Sequence, residues 1–334
     1  AHDGHHAQRR VAIGAGRGRA VDGDLPGRVV LREHRGGRHD GERQRDDKGQ
    51  WAGFEVDLCR AIAAAVFGDA TKVQFVPLTA RDRFDALRKG EIDVLIRNST
   101  ATLERTVGRG VRDATVIFVE GQAVAASRKS GIDTLEKLDG RPICVLNSTT
   151  YGRNVRDWLR PRNRKYVPVT FDTQEEMYAA FFAGKCDAVT QDISALSTSI
   201  LAGGKPQDYV VLPGIVGLQP NAAFVRSGDE QWEDVVRWTI FALLEGEEQT
   251  ITRDNVDFQL KEGTPVAQRL LGMPPDDGRL LGLTGNWAYD VIKQVGNYGE
   301  IFDRNLGLQS PWKFQRGTTA LWNKGGLMYA LPLR

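Results

Sequence analysis

The sequence predicts an α/β protein built as two similar lobes that face one cleft. Three observations predict it. First, a unit of helix, glycine, short apolar strand and polar strand end occurs twice, in GEIDVLIRNSTATLER (90–105) and in GKCDAVTQD (184–192). Aligned on Gly90 and Gly184, Asp93 matches Asp187, Val94-Leu95 matches Ala188-Val189, and Asn98 matches Asp192. Second, helical and strand periodicities alternate from Trp51 onward, the grammar of a parallel sheet, whose ligands sit beyond the strands' carboxyl ends. Third, 334 residues are enough for two domains.

The elements follow in order. GFEVDLCRAIAAAVFG reads as a strand end and then a helix, with Leu58, Ile62, Ala65 and Val66 on one face and Gly68 as the stop. VQFVPL (73–78) reads as a buried strand. TARDRFDALRKG reads as a helix with Thr79 as N-cap. The first repeated strand follows, Ile92 to Ile96, and empties into Arg97, Asn98, Ser99, Thr100, Thr102 and Arg105. ATVIFVEGQAVAAS (114–127) suggests two short strands around Gly121, and 133–138 a short helix. RPICVLNSTTYGRNVRDWLR is strand, turn and helix; YVPVTF is a strand; TQEEMYAAFFAGK is a helix with Thr173 as cap. DYVVLPGIVG and AAFVRS return the chain towards the first lobe. Beyond them, EQWEDVVRWTIFALLEGEE and NWAYDVIKQVGNYGEIFDRNLG carry apolar residues at helical spacing and read as core, their tryptophans as packing anchors.

Composition narrows the function classes. Apolar content of 41% and charged content of 26% are ordinary for a globular protein, and no apolar run is long enough to span a bilayer. The first 50 residues hold 11 basic and 8 acidic groups; the rest holds 34 and 35, too balanced for broad nucleic-acid binding. All five histidines fall in the first 50 residues, a segment rich in Arg, Gly and Asp. Residues 1–45 are expected to be irregular or disordered, because they offer little apolar surface to bury; only VVL (29–31) suggests a strand. His2, His5 and His6 make a weak zinc site without orienting partners, so no metal and no cofactor is expected. The segment has no apolar central run and is not a signal peptide. Its abrupt change into patterned sequence at DDKGQWAGF is what a shifted reading frame in GC-rich DNA produces.

The three cysteines leave two readings: neighbouring strands bring Cys144 and Cys186 into a disulfide, with Cys59 odd, or all three are buried thiols. At the strand ends, Arg105 offers a fork for a carboxylate, with Asn98 and Thr100 beside it. Asn147-Ser148-Thr149-Thr150 lies between strand and helix, where backbone amides favour an anion. Asp192 supplies a negative charge. A cation, an anion nest and a carboxylate fit a zwitterion such as an α-amino acid. Alone, each has a plainer reading: Arg105 a surface ion pair, Asp192 the cap of the helix beginning SALS, NSTT a capping turn.

From about Asp46 onward the chain resembles the general L-amino acid-binding proteins of bacterial ABC transporters. The residues that carry the resemblance are DDKGQWAGFEVDLCRAIAAAVFGDATKV, VLIRNSTATLER, ICVLNSTT, CDAVTQD, QVGNYGEIFDRNLG and ALWNKGGLMYALP. It implies a two-lobed clamp of the type II periplasmic-binding-protein kind, with lobe 1 over 46–125 and 220–334 and lobe 2 over 126–219. It implies a monomeric periplasmic protein, not an enzyme, that takes an L-amino acid to a membrane permease. By resemblance Arg105 is the carboxylate-binding arginine and Asp192 the ammonium-binding acid. Thr100, Thr149 and Thr150 supply hydroxyl and amide contacts, and Cys144 pairs with Cys186. The family also opens with a cysteine-bearing strand and a Pro-Gly-Phe loop, which residues 1–45 lack, and has a tryptophan where this chain has Ala101. The rival readings are a dehydratase on the same scaffold, with Glu104 or Glu120 as acid or base, and a frameshifted product without function.

Overall fold

The computed structural model describes residues 28–30, 44–45, 50–203, 205–274 and 277–333. The expected disorder of 1–45 and the histidines lie outside these, apart from two short strands, β1 (Arg28–Val30) and β2 (Gln44–Arg45). β2 pairs with β3 (Trp51–Ala52). α1 (Phe54–Phe67) buries nearly its whole length and stops at Gly68, whose left-handed φ of 66° lets its N–H reach Ala64 O. β4 (Gln74–Val76) is followed by α2 (Arg83–Lys89), which starts later than expected because Thr79 and Asp82 first hydrogen-bond each other in a turn. β5 (Val94–Thr100) and α3 (Leu103–Gly108) complete the first unit.

β6 (Val111–Ser127) is one unbroken strand, not two. Gly121 makes no turn there. It sits opposite Leu218 in the ladder, and a Cβ on it would lie 2.4 Å from Ile215 Cγ2, so the glycine serves close approach. β7 (Pro142–Leu146), α4 (Tyr151–Leu159), β8 (Val167–Phe171) and α5 (Gln174–Phe182) follow as read, with Thr173 accepting from Glu176 N. Next come β9 (Ala188–Asp192), α6 (Ile193–Ala202), β10 (Tyr209–Val211) and β11 (Gly217–Arg226). The rest is helical: α7 (Glu230–Glu248), α8 (Val256–Glu262), α9 (Pro265–Leu270), α10 (Trp287–Val295) and α11 (Tyr298–Asn305). Asn297 divides the last two with a reciprocal cap to Glu300.

Apart from the β2–β3 pair, the strands form one sheet in the order β4-β1-β5-β11-β6-β9-β7-β8, with β10 on β6. The inner strand that residues 1–45 were expected to lack is present: β1 lies parallel between β4 and β5. β6 pairs with β11 over its first part and with β9 over its last. At about 3.3 Å per residue its 17 residues reach about 55 Å, enough to serve both ends of the sheet. The buried apolar residues change partners along it. Val111 packs with α2, β5 and β11; those from Ala114 through Val119 pack with α1, α7, α10 and α11; those from Ala123 pack with β7, β9, α4 and α5. Phe54 anchors the first cluster, edge-on to Phe118, Tyr298 and Phe302.

Candidate functional site

β5 runs to Thr100 rather than ending at Ile96, and all seven of its residues are buried. It is held from three sides: by β1, by β11, and by Glu55 of α1, whose carboxylate accepts from Asn98 N. Ala101 N donates to Pro220 O at 2.8 Å and fixes the exit. The Asn98 side-chain amide is buried and has no hydrogen-bond partner among the described residues. Thr102 caps α3 by accepting from Arg105 N, which turns Arg105 inward. Its Nη1 donates to Thr100 O at 2.9 Å and its guanidinium lies over the Phe84 ring at 5.2 Å. Arg105 is only 7% exposed. Burial lowers its pKa to about 10, so it remains a cation at neutral pH. The plainer reading, a surface ion pair, is thereby set aside.

The second wall is the β7–α4 turn. Ser148 takes a left-handed φ of 59°, and Thr149 Oγ1 closes the turn on Leu146 O at 2.6 Å. Thr150 stands at the cap position of α4 but does not cap it; its hydroxyl reaches Gln219 Oε1 at 3.3 Å. Asp192, fully buried, ends β9 at the cap position of α6 and likewise makes no cap bond. Glu120 of β6 does that work: its two oxygens accept from Ser194 N at 2.8 Å and Ser194 Oγ at 2.9 Å. The Asp192 carboxylate is the weakest of the charges acting on the Arg105 guanidinium, behind Tyr151, Arg109 and Glu104.

Between the walls lies a cleft open to solvent, with about 300 Å³ of space when the open mouth is included. Of the six residues predicted from sequence, Asn98, Thr100, Arg105, Thr149 and Thr150 line it, and Asp192 does not; its neighbour Gln191 does. Sequence reasoning missed Arg83, Leu146, Tyr151, Gln174 and Gln191, and had placed Arg97 only in the polar cluster after the strand. Tyr151 and Gln191 adjoin predicted residues, a signal that was available. Arg83 and Gln174 are the first residues of α2 and α5, the helices that precede the two repeated strands. Among the described residues no carboxylate lines the cleft, which gives it a cationic, hydroxyl- and amide-rich character.

Cys144 and Cys186 form a disulfide with Cα atoms 5.6 Å apart. Cys186 precedes β9 rather than lying on it. A separation of 42 residues puts its entropic effect at about 4 kcal/mol. Cys59 is a buried thiol, its pKa pushed well above normal by desolvation. At the cleft's lip, Glu104 of α3 pairs with Arg109 at 2.9 Å and with Arg153 of α4 at 3.2 Å. These hydrogen bonds lower its pKa. Among the described residues no helix is long and apolar enough to cross a membrane.

A mixed sheet with two crossing strands and a polar cleft at its strand ends defines a two-lobed solute-binding protein. The chain belongs to the bacterial extracellular solute-binding proteins, family 3, whose model matches residues 42–307. It is 45% identical over 291 residues to the general L-amino acid-binding periplasmic protein AapJ of Rhizobium johnstonii, covering 86% of this chain and 85% of that protein. It is 40% identical over 290 residues to the glutamate/glutamine/aspartate/asparagine-binding protein BztA of Rhodobacter capsulatus, covering 86% of each. A solved ABC transporter periplasmic binding protein from Brucella ovis with glutathione bound superposes with a TM-score of 0.87 at 45% identity, covering 92% of this chain and 96% of that one.

Proposed function

We propose that this chain captures L-amino acids in the periplasm and delivers them to the membrane permease of an ABC importer, as a monomeric carrier rather than an enzyme. The observation that carries the reading is the buried Arg105 guanidinium in a cleft walled by both repeats, with Gln191, the neighbour of the buried Asp192, on the facing side. In this reading Arg105 grips the α-carboxylate, aided by Thr149 and the start of α4, and Asp192 takes the ammonium. Asn98, Thr100 and Thr150 complete the polar wall. The lobes are 46–125 with 220–334, and 126–219. The change of buried cluster between Val119 and Ala123, and again between Val216 and Ala222, supports a division close to those limits. Binding closes the clamp about the crossing strands β6 and β11, a rigid-body movement.

The dehydratase reading needs an acid or base at the cleft. Glu104 is engaged by Arg109 and Arg153 at the lip, and Glu120 is committed to the start of α6. Neither lines the cleft. The test is calorimetry with the twenty common L-amino acids, joined to melting curves. A bound amino acid raises the melting temperature, which also excludes a product without function. Asp192→Ala leaves the bound ammonium without its counter-charge and weakens affinity by about 3–5 kcal/mol; an unchanged affinity removes Asp192 from the site.

A further inference from the structure

We propose that Gln219 is a positioning residue: held by Gln122, it takes the hydroxyl protons of Thr100 and Thr150 and leaves both hydroxyls able only to accept hydrogen bonds from the cleft's occupant. The proposal rests on the amino-acid reading above and adds which pole of the ligand these threonines recognise.

Gln122 and Gln219 are fully buried on the crossing strands β6 and β11. Two backbone carbonyls, which only accept, fix the polarity of the whole relay. Thr190 Oγ1 donates to Ala123 O at 2.8 Å, so it faces Gln122 as an acceptor. Tyr151 O is the second acceptor. The Gln122 amide nitrogen must therefore face both, at 2.8 Å from Thr190 Oγ1 and 3.0 Å from Tyr151 O. Its oxygen then accepts from Asn154 Nδ2 at 2.8 Å and from Gln219 Nε2 at 3.0 Å. With its nitrogen so placed, Gln219 turns its oxygen to Thr100 Oγ1 and to Thr150 Oγ1. An amide oxygen carries two lone pairs and no proton, so both threonines must donate to it. A hydroxyl has one proton.

Thr100 and Thr150 line the cleft from opposite walls, one ending β5 and one starting α4. Only their lone pairs remain for a ligand. A carboxylate, which only accepts, finds no partner in them; an ammonium, which only donates, finds two acceptors. Turning a hydroxyl toward a ligand carboxylate strips a buried amide oxygen of a donor. The relay thus sets both threonines with Asp192 in recognising the ammonium and leaves the carboxylate to Arg105.

The experiment measures, by calorimetry, the ratio of affinities for an amino acid and for its 2-oxo acid. The pairs are alanine with pyruvate, glutamate with 2-oxoglutarate, and leucine with 2-oxoisocaproate. The parent protein is expected to prefer the amino acid. Gln219→Leu frees both protons and lowers that preference about tenfold. Gln219→Met keeps the length and bulk of the side chain without an amide oxygen and should lower the preference likewise, a change in which pole is preferred that loss of packing alone does not produce. If Gln219→Leu does not melt cooperatively, Thr150→Val at its half-buried position serves instead and must also lower the preference. An unchanged preference in the folded variant overturns the relay and leaves the amino-acid reading standing. So does a parent that binds a 2-oxo acid as tightly as its amino acid. A parent that binds none of the three amino acids overturns the relay, and one that binds none of the common twenty takes the amino-acid reading with it.

Discussion

The unit 83–100 and the unit 174–192 share their joints and differ in their ends. Gly90 and Gly184 both take a left-handed φ, 73° and 77°. The next N–H reaches back in the same way, Glu91 N to Ala86 O at 2.9 Å and Lys185 N to Ala180 O at 3.0 Å. Asp93 and Asp187 each hold an arginine, Arg226 and Arg141. Each strand lies between one parallel and one antiparallel neighbour: β5 between β1 and β11, β9 between β7 and β6. The two antiparallel neighbours pair with each other. Past the strand the likeness stops. β5 hands on to α3 through the Thr102 cap and brings in a guanidinium. β9 hands directly to α6, whose cap comes from Glu120, and leaves a carboxylate at the joint. One scaffold thus delivers opposite charges, and the difference rests on a few residues after the common joint.

The sharpest way to break this pairing is to remove the charge that unit one supplies. Arg105→Gln should weaken amino-acid binding by about 3 kcal/mol or more, because a charge-assisted fork is lost in a buried setting. Calorimetry reads it. A loss comparable to that of Asp192→Ala supports two poles of one ligand. An unaltered affinity would detach the first unit from the site.

The shared joints predict matched costs. Gly90→Ala and Gly184→Ala each force a side chain into left-handed backbone, at about 1–2 kcal/mol. Neither meets a close obstacle: a Cβ on Gly90 would lie 3.6 Å from Arg226 Nη1, and Gly184 has nothing within 4 Å. Urea unfolding should therefore give two similar losses. A large inequality means that one glycine serves something besides its helix stop.

Much of this was legible because the joints are local. Gly90, Gly184 and the cap at Thr173 need only neighbours a few residues away, and five of the six predicted site residues line the cleft. What was illegible depends on crossing. The unbroken β6 hid behind Gly121, which resembles a turn in sequence but answers to Ile215, far along the chain. β5 runs past Ile96 because Glu55 and Pro220 satisfy the backbone of a polar stretch that looks like loop. Glu120 looked available for acid–base chemistry because its partner, Ser194, is 74 residues away. Gln122 and Gln219 carry no motif; their meaning comes from two strands passing each other.

The smallest effect tests whether the matched aspartates are matched in energy. Arg226 Nη2 meets Asp93 Oδ1 at 2.9 Å, with the Asp93 side chain 12% exposed, and Arg226 also donates to Ile92 O at 2.6 Å. Arg141 meets Asp187 at 3.2 Å with side chains 45% and 31% exposed. Water screens the second pair far more than the first. Asp93→Asn should therefore cost about 1–2 kcal/mol, and Asp187→Asn about 0.5 kcal/mol or less. In about 1 M salt the second cost should vanish while most of the first persists, since screening reaches exposed charges and spares buried ones. Equal costs, or a first cost that disappears in salt, would mean that position in the repeat, rather than burial, decides what these ion pairs contribute.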